Sequence, residues 1–201
     1  RIRMQPLQPL FSRFPRIVRD LARSLGKQVR IEIIGGETEL DKNVVEALSD
    51  PLVHLVRNAV DHGIELPRQR RSQAKDETGL IQLEARTQGD HVLLRLSDDG
   101  AGMDPNKLRA RAIERQLLDG EMAATLDVQA CLQLIFLPGF STRDAISDVS
   151  GRGVGMDVVK TSIDALGGEI YLSSEFGQGS CVELRLPLTL AIVPTLMVAV
   201  G

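Results

Sequence analysis

The chain has 201 residues, 43% of them hydrophobic, enough to bury a substantial core in one domain plus some extra chain. Aromatics are 3% and Trp is absent, so the core must be aliphatic and recognition of nucleic acid by base stacking is disfavoured. The net charge of −3 also lacks the basic footprint of a DNA or RNA binder.

In chain order, a leader with Pro6 and Pro9 is expected to be extended. Phe14, Ile17, Val18, Leu21, Ala22 and Leu25 then recur at helical spacing up to Gly26. Residues 29–34 alternate as a half-buried strand does, and residues 41–48 read as a short helix. Asp50 and Pro51 are suited to start a separate helix that ends at Gly63. Residues 80–87 and 91–98 alternate around Gln88-Gly89-Asp90 and predict a hairpin, and residues 169–173 and 181–186 predict another around Gly177-Gln178-Gly179. Between them, residues 105–150 mix helical pattern and loop, and a helix is expected over 154–166, stopped by Gly167-Gly168. The fold class is α/β, an α+β sandwich with a mixed, largely antiparallel sheet and helices on one face.

Cys131 and Cys181 stand far apart without a CxxC pair, which disfavours a disulfide framework or a zinc site. They read as small buried hydrophobes in a reducing, cytoplasmic setting. No signal peptide is visible, and the apolar stretch 188–200, broken by Thr189, Pro194 and Thr195, is too short for a bilayer span. The missing initiator Met and the abrupt end at Gly201 suggest an excised fragment, expected to be monomeric.

Four stations carry chemistry. His54, Asn58 and His62 recur every four residues, so on a helix they form one polar stripe while Leu52, Leu55, Val56 and Ala59 face the other way. Taken alone, such a stripe is more often solvated surface. Asp98-Asp99-Gly100-Ala101-Gly102-Met103 ends the first hairpin. An ionised carboxylate only accepts hydrogen bonds, so Asp98 suits the amino group of adenine, and Gly100 and Gly102 let backbone approach a flat ring. An ordinary Asp-Gly turn competes with this reading; a calcium loop does not, because Met103 and Arg109 stand where Gly and Glu are required. Gly151, Arg152, Gly153, Val154, Gly155 and Met156 open the late helix, where backbone amides and the helix dipole favour a phosphate. The same glycines would also serve a hinge. Pro138-Gly139-Phe140-Ser141-Thr142-Arg143 adds groups suited to a terminal phosphate, and Ser180 follows Gly177 and Gly179 with a hydroxyl near the base.

Together these stations resemble the N, G1, F and G2 boxes of the chemotaxis histidine kinase CheA, over nearly the whole chain. The closing Leu186-Pro187-Leu188-Thr189-Leu190-Ala191-Ile192 is similar to that family as well. Ser180 departs from a commoner Thr, and Ala74-Lys75 from a usual Gly-Lys in a loop outside the boxes. The resemblance implies the Bergerat-type ATP-binding fold shared with gyrase, MutL and Hsp90. It implies that residues 1–10 leave a dimerisation domain, residues 11–187 form the catalytic domain with a lid over 105–150, and residues 188–201 begin a regulatory domain. The full-length parent would then be dimeric.

The resemblance further implies that ATP and Mg²⁺ are the ligands, with Asn58 on the metal, Asp98 on adenine, and Asp61, His62 and Met103 in the nucleotide site. Gly151, Gly153 and Gly155 would wrap the phosphates, with Thr142, Arg152, Val154 and Met156 also in the nucleotide site, and lid closure would bring Ser141 and Arg143 toward the γ-phosphate. His54 stands where ATPase relatives carry a water-activating Glu, which favours phosphotransfer over hydrolysis. Only His54, His62 and His91 are present, none in a convincing phosphoacceptor helix. The expected partners are therefore a separate histidine phosphotransfer domain and a response regulator, with a coupling protein and chemoreceptors reached through neighbouring domains. An ATPase and a nucleotide-sensing scaffold remain the rival readings.

Overall fold

The computed structural model describes residues 2–141 and 155–189. A five-stranded sheet has the order β2-β4-β5-β7-β6, formed by β2 (Gln28–Ile34), β4 (Thr78–Gln88), β5 (His91–Asp98), β6 (Glu169–Glu175) and β7 (Gly179–Pro187). Strands β2 and β4 run parallel and every other neighbour pair is antiparallel. Both predicted hairpins are present. In each strand alternate residues turn inward, as Ile81, Leu83 and Ala85 do on β4 and Val92, Leu94 and Leu96 on β5.

Three helices cover that inner face: α2 (Phe14–Leu25), α3 (Lys42–Asn58) and α8 (Met156–Ala165). Helix α2 stops at Gly26, whose φ of 70° closes the last turn in the left-handed region. Among the described residues, twenty-seven buried apolar side chains form this main core. A second cluster, of eight described residues, lies to the side, made by α5 (Pro105–Glu114), α7 (Val128–Gln133), a 3-10 turn (Leu134–Phe136), Phe140 and Leu172 of β6. Helices α4 (Pro67–Ser72) and α6 (Gly120–Ala124) complete the loops.

Three local expectations are corrected. The leader is not simply extended: Met4–Pro6 (β1) pairs with Glu39–Asp41 (β3), and Gln8–Phe11 (α1) is helical, with Leu7, Leu10 and Phe11 in the main core. The two helices expected around Pro51 are one. The Asp41 side chain caps α3 by accepting the Asn43 N–H at 3.1 Å, and the helix runs through Pro51. Pro in a helix interior costs ~3 kcal/mol. Here an apolar stripe of Val44, Leu48, Leu52 and Leu55, all buried, continues across it in helical register and offsets the cost. Cys131 is buried as expected, but Cys181 is only half-buried, with Arg95 Nη2 3.5 Å from its sulfur.

Candidate functional site

The C-terminal end of α3 opens onto a cavity of about 610 Å³, within the usual range for small-molecule sites. His54 and Asn58 reach it from α3. Asp61 and His62 reach it from the π-helical turn Ala59–Gly63, closed by the Ile64 N–H donating to the Ala59 carbonyl at 2.8 Å. On an ideal α-helix each step of four residues drifts by about 40°. The wider π turn removes most of that drift and keeps His62 on the cavity side, the kind of functional placement such turns recurrently serve. Lys27 Nζ holds this turn from behind, donating to the carbonyls of Val60 at 2.8 Å and Asp61 at 2.6 Å. Burial lowers the Lys27 pKa, against the pull of Asp61 and Glu65. His54 is buried, at 8% exposure, and Asn58 Nδ2 donates to the Met156 sulfur at 3.4 Å.

Asp98, the last residue of β5, forms part of the opposing wall. Its Oδ1 accepts the Gly100 N–H at 2.9 Å. Burial pushes its pKa up to about 6, opposed by the amides of Gly100 and Ser180 and reinforced by Asp99 and Glu65. Gly100 does not line the cavity, yet nothing larger fits there: a Cβ would stand 2.1 Å from the Gly63 carbonyl oxygen. The Ala101 N–H donates to that same oxygen at 2.8 Å, so the loop after Asp98 is stitched to the end of the π turn. Gly102, with φ 69°, lines the cavity beside Met103, and its Cβ would meet the Glu175 carbonyl at 2.2 Å. Ser180 lines it too, 2.8 Å from Ser174 Oγ, and the Met103 N–H donates to Ser174 Oγ at 2.8 Å.

Lys107, Leu108 and Arg111 of α5, Ile135, Phe140 and Ser141 close a third side. Arg111 lies over the Phe140 ring, 5.6 Å from its centroid. Gly155 packs on Ser141, since a Cβ there would stand 2.7 Å from Ser141 Oγ. Thus His54, Asn58, Asp61, His62, Asp98, Gly102, Met103, Ser141, Met156 and Ser180 converge on one cavity, with Gly100 and Gly155 just behind its surface. Thr142, Arg143, Gly151, Arg152, Gly153 and Val154 lie outside the described residues.

A family model for histidine kinase-, DNA gyrase B- and HSP90-like ATPases matches residues 47–190, which carry all of these stations. The chain belongs to that family. Within it, sensor histidine kinase CheAY of Helicobacter pylori is 50% identical over 198 residues, 98% of this chain and 25% of that protein. The chemotaxis protein CheA of Bacillus subtilis is 47% identical over 197 residues, 98% of this chain and 29% of that protein. The chain therefore spans less than a third of the length of these relatives. The nucleotide-free catalytic domain of the histidine kinase ThkA has the same fold, with a TM-score of 0.58 at 16% identity, covering 94% of this chain and 97% of that one. As a member of the histidine kinase-, gyrase B- and HSP90-like ATPases, the chain carries an ATP-binding domain over residues 47–190.

Two groups near the site escape sequence reasoning. Lys107 and Arg111 place two cations on the cavity. Their i,i+4 spacing just after the Asp98 loop is a legible signal, since a helix starting there turns both toward one side. Lys75, read as lying in a loop apart from the boxes, instead donates from Nζ to the Gly100 carbonyl at 2.8 Å. No local pattern distinguishes it from a solvated loop lysine.

Proposed function

We propose that this domain binds Mg-ATP and transfers the γ-phosphate to a histidine on a separate phosphotransfer domain, for relay to a response regulator in a cytoplasmic chemosensory pathway. The carrying observation is that His54 and Asn58 from α3 face the same cavity as Asp98 from β5. Among the described residues no helix is long and apolar enough to cross a membrane. Contact with a coupling protein and chemoreceptors would run through neighbouring domains.

In this reading the ionised Asp98 carboxylate accepts the adenine amino group, and Gly102 with Met103 lets the ring lie against backbone. Lys107 and Arg111 offset phosphate charge from one side, and the glycine box expected over residues 151–155 supplies amides from another. Magnesium typically takes one or two protein oxygens, the rest of its octahedron coming from phosphate and water. Asn58 fits that demand, because its amide nitrogen is committed to the Met156 sulfur and Oδ1 is the atom left for a cation. When bound, the metal would supply neutralisation of phosphate charge, which is most of what phosphoryl transfer requires beyond alignment. His54, an imidazole where hydrolytic relatives carry a carboxylate, orients the incoming histidine or takes its proton and gives little help to water. Residues 105–150, of which 105–141 are described, act as a lid that brings Ser141 toward the γ-phosphate.

The test is incubation of labelled ATP and Mg²⁺ with this domain and a separate histidine phosphotransfer domain. Label on the acceptor histidine is the expected result. Rapid hydrolysis without acceptor would instead make it an ATPase, and binding with neither outcome a nucleotide-sensing scaffold. His54→Gln should cut transfer far more than ATP binding, and an unchanged transfer rate would remove His54 from the reaction.

A further inference from the structure

Behind the Asp98 loop lies a buried ion cluster that the reaction does not use. Arg70 is 1% exposed. Its Nη1 donates to Glu65 Oε1 at 2.7 Å and to the Asp99 carbonyl at 3.1 Å, its Nε donates to the Asp76 carbonyl, and its Nη2 lies 3.2 Å from Asp99 Oδ2. Lys75 Nζ donates to Glu65 Oε2 at 2.6 Å, to the Gly100 carbonyl at 2.8 Å and to the Asp99 carbonyl at 3.3 Å. The Leu80 N–H donates to Asp99 Oδ1 at 2.9 Å. Neither Glu65, Arg70 nor Lys75 lines the cavity.

The geometry of one peptide explains what this cluster does. The Asp99–Gly100 peptide is a rigid plane whose carbonyl and N–H point in opposite directions. Two cations grip its carbonyl, and its N–H donates to Asp98 Oδ1. Turning that plane would break the cationic contacts and the hydrogen bond to the carboxylate together. Buried ion pairs are poor sources of stability, because desolvation consumes the Coulomb gain, and a well-attested use for them is to fix one arrangement among several. The chain also tolerates strain to place Lys75: Ala74 sits at φ 59°, left-handed backbone that a side chain disfavours, and this turns the Lys75 N–H back to the Arg70 carbonyl at 2.8 Å.

We propose that Lys75, with Arg70 and Glu65, is a positioning residue for base discrimination: it clamps the Asp99–Gly100 peptide and so aims the Asp98 carboxylate at the exocyclic amino group of adenine. This role rests on the reading of Asp98 given above.

The test compares calorimetric affinities of the intact chain for ATP and for inosine triphosphate, each with Mg²⁺, because inosine replaces the amino group by a carbonyl. Wild type should prefer ATP by about tenfold or more, the equivalent of one hydrogen bond to a charged group. Equal binding of the two by wild type would overturn the Asp98 reading, and this proposal with it. In Lys75→Met, ATP should weaken by about tenfold while inosine triphosphate changes by less than about twofold, since that ligand never gains the aimed carboxylate. Lys75→Arg should retain the preference. If Lys75→Met fails to fold, the same ratio is read in Lys75→Gln, which keeps a donor on a shorter stem but loses the ion pair. Wild-type discrimination that survives the loss of the cation, or a parallel fall for both nucleotides, would show that Lys75 is only structural.

Discussion

Two walls of the same cavity are built on different physical principles. The wall of α3, the π turn and the Asp98 loop stands on the main core and is stitched by partly buried hydrogen bonds, from Lys27 on one side and from Arg70 and Lys75 on the other. The wall of α5, the 3-10 turn and Phe140 rests on a satellite cluster of eight buried residues, and Arg109 Nε and Arg115 Nε are buried there without partners among the described residues. Local opening free energies follow burial and hydrogen bonding. In the function proposed above, the first wall would then be the fixed template for base and metal, and the second the part cheap enough to rearrange over a nucleotide.

The largest effect is expected at the fixed wall. Asn58→Ala, which removes both the oxygen offered to the metal and the donor to Met156, should lower transfer to the phosphotransfer domain by about 10²–10³-fold, the cost of removing one preorganised electrostatic group. Acceptor labelling in single-turnover assays measures it.

The contrast itself is tested by one truncation on each side. Leu52→Ala in the main core should cost ~2–5 kcal/mol in global denaturant unfolding. Phe140→Ala should leave the global midpoint closer to wild type and raise the KM for ATP, with faster amide exchange confined to 105–141. Equal global losses would mean that the two walls unfold as one unit.

Asp98→Asn should weaken ATP binding by about 1.5–3 kcal/mol. It should also stabilise the nucleotide-free domain. A carboxyl whose folded pKa, about 6, lies above its unfolded value destabilises the fold at neutral pH, and that cost is relieved as pH falls through about 6. The gain is expected to be about 1–3 kcal/mol at pH 7 and to vanish near pH 4, by denaturant titration. Correspondingly, the ATP preference over inosine triphosphate should decline as pH drops below about 6 in wild type and stay flat in the variant.

The smallest effect is Ala74→Gly. It relieves a left-handed alanine and should raise stability by about 1 kcal/mol, read as a rise of a few degrees in Tm, with the ATP preference intact.

Much of this was written in the sequence. Strand alternation located both hairpins, Gly26 and Gly167 marked helix ends, and the spacing of His54, Asn58 and His62 placed them on one side of a helix. Asp50-Pro51 misled because it is a genuine start signal locally, overridden by an apolar stripe that only the folded sheet makes worth burying. The π turn carries no residue signature, and β1 and β3 are three residues each, too short for a period to show. Lys75 was invisible because its partners, Glu65 and the Gly100 carbonyl, meet it only in three dimensions.

One further feature sits far from the cavity. The Lys42 N–H donates to the Arg3 carbonyl at 2.7 Å and the Asp41 N–H to the Leu188 carbonyl at 2.9 Å, so two positions 185 residues apart are moored to consecutive residues at the foot of α3. Such closeness makes the topology indifferent to where the polypeptide is cut. A circular permutant that splices Leu188 to Arg3 through a short flexible bridge and opens at Gly89, whose surroundings are empty, should rebuild the same sandwich with new ends at the tip of a hairpin.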